Sequence, residues 1–64
     1  MTVARIVGIA QDRTPLPLEV KPETRLIDLG LDSLEFLEFL GECGIDKELL
    51  PQLETIGDVA RHAA

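Results

Sequence analysis

Sixty-four residues, a formal charge of −6 and a single cysteine set narrow limits on this chain. It is long enough for one domain, residues 1–64, which at this size buries only about 60% of the surface its unfolded form exposes, and no internal disulfide can staple it. The charge repels nucleic acid and anionic lipid, and no apolar run approaches the roughly 18–20 residues that span a bilayer.

The charge is concentrated. Asp28, Asp32, Glu35, Glu38, Glu42, Asp46 and Glu48 lie close together with Lys47 as the only base among them, while the acids and bases elsewhere cancel. Such a field speeds encounter with basic protein surfaces, so the expected partner is a protein carrying a Lys/Arg patch. The opening MTVARIVGIA has the apolar density of a signal peptide but lacks a charged head and a convincing cleavage site. A cytoplasmic monomer is expected.

Thr2 is a good N-cap, and Val3, Ile6, Val7 and Ala10 follow at the spacing of one helical face, so a short first helix is predicted. From Gln11 to Pro22 the chain reads as an ordered loop, because Pro15, Pro17 and Pro22 remove backbone donors and disfavour helix before them. Leu16, Leu18 and Val20 alternate along it and can lay side chains on the bundle. Arg25 to Leu29 suits one helical turn, ended by Gly30.

Asp32 is placed as the N-cap of the next helix, with Ser33, Leu34 and Glu35 in its first turn and Glu35 at the capping-box position. On the helical projection Phe36, Phe39, Leu40 and Cys43 share an apolar arc, and Leu37 is assigned with Phe36, Phe39 and Leu40 to anchoring the helix in the core. Glu35, Glu38 and Glu42 form a roughly opposite acidic arc. Leu34 falls beside the acids, a large apolar residue left near the surface. Two phenylalanines on the core arc imply a filled interior. Gly41 and Gly44 bracket the helix end. Asp46 then caps one turn from Lys47 to Leu50 before Pro51, and Thr55 with Asp58 opens a last helix carrying Ile56, Val59, Ala60 and Ala63 on one face. The fold class is all-α, a bundle of three to four helices with a long loop between the first and second.

A serine beside a helix-capping aspartate and after a glycine turn is exposed at the positive end of a helix dipole, a place that suits a phosphate. The stretch Asp28-Leu29-Gly30-Leu31-Asp32-Ser33-Leu34 closely resembles the phosphopantetheine attachment motif of acyl carrier proteins. The likeness extends along the chain, through the acidic helix to a final helix opening Thr55-Ile56-Gly57-Asp58-Val59. It implies that Ser33 carries 4′-phosphopantetheine through a phosphodiester, and that Asp32 helps a phosphopantetheinyl transferase hold magnesium and coenzyme A. It further implies that Leu34, Glu35, Glu38 and Glu42 form the face read by acyl-transferring, ligating or condensing enzymes with basic patches. The carrier itself catalyses nothing and shuttles acyl thioesters in fatty-acid-like or polyketide-like biosynthesis. The chain departs from typical carriers in its short span between the acidic and final helices, where other carriers line a cleft for cargo.

Other readings stand beside this one. Serine is common at helix starts for structural reasons alone, and the chain can be read as an unmodified acidic interaction module, or as an aminoacyl or peptidyl carrier with the same chemistry. Cys43 falls on the apolar arc as a buried, inert thiol, and His62 has no second histidine with which to build a metal site. A Ser33-His62-Asp hydrolase can be written, but so short a chain leaves little room for an oxyanion hole and substrate cleft.

Overall fold

A computed structural model describes residues 2–63. Thr2 accepts a hydrogen bond from the Arg5 N–H and opens helix α1, Val3–Arg13. This helix outlasts the apolar period by three residues, so the loop expected from Gln11 begins at Thr14. Thr14 stands before Pro15, which disfavours helical backbone in its predecessor, and its ψ of 131° is extended.

The loop is bonded rather than free. The Gln11 side chain donates to the Leu18 carbonyl and accepts from the Val20 N–H, both at 2.8 Å, and Val20 is buried. A 3-10 turn follows at Leu26–Leu29, closed by Gly30 with φ +74°. An antiparallel bridge between Arg25 and Thr55, with Leu26 N–H donating to the Glu54 carbonyl and Ile56 N–H to the Thr24 carbonyl, ties this turn to the start of the last helix.

Helix α2 is Ser33–Glu42, capped by Asp32, whose carboxylate accepts from the Glu35 N–H at 2.7 Å. A second 3-10 helix, Lys47–Gln52, is capped by Asp46 and runs through Pro51 instead of stopping before it. The proline fits because its fixed φ is close to helical, and the bonds from Leu49 N–H to Asp46 and from Leu53 N–H to Leu50 pass around it. Helix α3, Ile56–His62, opens on a complete capping box between Thr55 and Asp58.

Helix α1 packs on both α2 and α3. Every element but the second 3-10 helix supplies buried core residues: Ile6 and Ala10 from α1, Val20 from the loop, Leu29 from the first turn, Phe39 and Leu40 from α2, Ile56 and Val59 from α3. The all-α bundle with its long first loop is therefore the observed architecture. Among the described residues no helix is long and apolar enough to cross a membrane, and no cluster of side chains could hold a metal ion.

Candidate functional site

The site assembles where the first 3-10 turn hands over to α2. Gly30 takes the left-handed conformation that lets the chain reverse, and a side chain there would also run into Leu16, whose Cδ1 lies 2.9 Å from the position of a Cβ. Asp32 then caps α2, leaving Ser33 as the first helical residue, with its side chain exposed. The N–H groups of Ser33 and Leu34 find no acceptor among the described residues, so the positive end of α2 faces outward beside the Ser33 hydroxyl.

Below the serine lies an open cleft of about 340 Å³. Its apolar walls are Leu26 and Ile27 of the first turn, Leu31, Phe36 of α2, and Leu50 and Leu53 from the far side; Asp32 and Ser33 complete the lining. The filled interior expected from two phenylalanines is thus half right. Phe39 is fully buried, but Phe36 is only partly buried and lines this cleft.

Leu34 is 69% exposed, beside Glu35 and Glu38. Leu37, assigned to the core from sequence, is 45% exposed. At about 100° per residue it falls midway between Leu34 and the buried Leu40, at the edge of the core arc and at least about 100° from Glu35, Glu38 and Glu42, so only Leu34 stands beside the acidic stripe. Ile27, 80% exposed at the rim of the cleft, drew no attention in the sequence, since one apolar residue in a short turn has no period to betray it. Glu42 stands at the other end of α2, its carboxylate bonded to the Arg13 guanidinium at 2.9 Å.

Cys43 is buried behind α2, where burial and the neighbouring Glu42 push its thiol above its ordinary value, against a smaller opposing effect of Arg13. A protonated, enclosed thiol is a core group and not a nucleophile. His62 is exposed near the end of α3, away from the cleft lining.

The model of the phosphopantetheine attachment site family matches residues 4–63. The chain belongs to this family. Its members are non-catalytic carriers bearing covalently attached 4′-phosphopantetheine, and this protein is a phosphopantetheine carrier. No curated protein and no solved structure matches the chain significantly. The residues around the cleft mouth fit the group: a free hydroxyl for the ester, unpaired N–H groups for its phosphate oxygens, and apolar walls alongside. Ser33 is the only serine in the chain.

Proposed function

We propose that Ser33 carries the 4′-phosphopantetheine, and that the protein delivers acyl thioesters between partner enzymes of fatty-acid-like or polyketide-like biosynthesis in the cytoplasm. The observation that carries the reading is the exposure of the sole serine at the first position of α2, at the edge of an apolar cleft. The terminal thiol of the bound group supplies the thioester chemistry. The chain's own residues hold and present it.

Asp32 fixes the start of α2 through one carboxylate oxygen, and its exposed position beside Ser33 leaves the carboxylate open to a transferase and its magnesium. Leu34, Glu35 and Glu38 form the face offered to basic partners; Glu42, already satisfied by Arg13, stands at its margin. The apolar lining favours acyl over aminoacyl cargo, since a charged amino group gains nothing from leucine and phenylalanine walls.

The purified protein, incubated with coenzyme A, magnesium and a broad-specificity phosphopantetheinyl transferase and then weighed intact, should gain the mass of one prosthetic group. Ser33→Ala should gain none. An unchanged wild-type mass, or modification of the Ser33→Ala protein, overturns the assignment.

A further inference from the structure

Between Leu29 and Ser33 the chain crosses only Gly30, Leu31 and Asp32, and what fixes this segment from behind is one hydroxyl on another element. Thr14, the residue that ends α1, donates its hydroxyl to the Leu29 carbonyl at 2.7 Å. The same oxygen accepts from the Leu16 N–H at 3.3 Å, which turns the loop so that the Leu16 side chain covers Gly30. Leu29 is fully buried, so its carbonyl needs a partner inside the protein, and Thr14 supplies it. Past the glycine, Asp32 holds the beginning of α2. The attachment segment is therefore clamped at both ends: by Asp32 from its own helix and by Thr14 with Leu16 from the end of α1.

Resting on the reading of Ser33 as the modified residue, we infer that Thr14 and Leu16 are positioning residues for that modification. They set the height and direction at which Gly30 to Asp32 presents the Ser33 hydroxyl, while the acidic face of α2 supplies the affinity for the transferase. The two jobs lie on different elements and separate kinetically. A loosened segment leaves the docking face intact but lowers the fraction of docked complexes in which the hydroxyl is aligned for reaction, which lowers kcat; loss of the face raises KM.

The test is steady-state kinetics of phosphopantetheinyl transfer from coenzyme A to the full chain, at a temperature where circular dichroism shows each variant folded. Thr14→Val keeps the branched shape and removes the hydroxyl; it should lower kcat roughly tenfold with KM changed by less than about twofold. Thr14→Ser restores the hydroxyl and should restore kcat, whereas Glu38→Lys should raise KM instead. Leu16→Ala, which leaves the Thr14 bond in place and uncovers Gly30, should give a smaller fall in kcat and serves if Thr14→Val does not fold. Wild-type kcat in the folded variants, or a Thr14→Ser protein as slow as Thr14→Val, overturns the positioning role. A wild-type chain that is never modified, or a Ser33→Ala chain that is, overturns the underlying assignment of Ser33 and is distinguishable from both.

Discussion

Gly30 and Gly44 share a φ of +74° but not a neighbourhood. A Cβ at Gly44 would meet nothing within 4 Å, whereas at Gly30 it would press on Leu16. Gly44→Ala should therefore cost only the left-handed backbone penalty, about 1–2 kcal/mol, and Gly30→Ala should cost that plus about 1 kcal/mol for displacing Leu16. Gly41 gives the opposite sign, for it lies inside α2 with open space around it, and Gly41→Ala should stabilise by about 0.5–1 kcal/mol. Urea unfolding midpoints of the three variants check the order. Equal midpoints for Gly30→Ala and Gly44→Ala would mean that Leu16 yields without cost and is a weaker cover than its contact suggests.

At the scale of the element, α2 was largely readable. Its cap at Asp32, its acidic arc and its buried Phe39 and Leu40 all follow from residue chemistry and a period of 3.6, and the same holds for the caps at Thr2 and Thr55. Leu37 was misplaced because a run of apolar residues blurs the edge of an arc, and only the packing partners decide where core ends. The pairing of Glu42 with Arg13 was also out of reach, since an ion pair between residues 29 apart leaves no local trace. That pairing bears on the proposed partner face. Glu38→Gln removes a charge with no ion-pair partner among the described residues and should weaken transferase docking several-fold at low salt, an effect that fades as salt screens the surface. Glu42→Gln, whose charge Arg13 already offsets, should change docking by less than half as much and stability by no more than about 1 kcal/mol, since the pair is partly exposed. The transferase KM, measured for both variants across a salt series, checks this; equal effects would place Glu42 in the partner face on the same footing as Glu38.

For the whole molecule, the least legible feature is how the long loop becomes part of the bundle. Its alternating leucines hinted at contact, but the bonds that hold it join residues far apart, as in the Arg25–Thr55 bridge, the Thr14 bond to Leu29 and the Gly57 N–H donating to the Pro22 carbonyl. Hydrogen bonds of this kind obey no sequence period. Gln11 shows their weight most simply, because one exposed amide on α1 satisfies both the Leu18 carbonyl and the Val20 N–H, and Val20 is a core residue. Gln11→Ala removes both bonds at about 1 kcal/mol each. A domain of this size has only about 3–10 kcal/mol of stability in total, so a loss of about 2 kcal/mol should lower the melting temperature by roughly 8–15 °C. The urea midpoint should fall with the slope unchanged, since the loop remains folded in the native state. Gln52→Ala, an exposed glutamine on the second 3-10 helix, is the control and should shift stability by less than about 0.5 kcal/mol. If Gln11→Ala melts with the control, the loop is held by its apolar side chains alone; if the slope falls instead, the loop detaches before the bundle unfolds, and the support behind Gly30 and Ser33 is lost first.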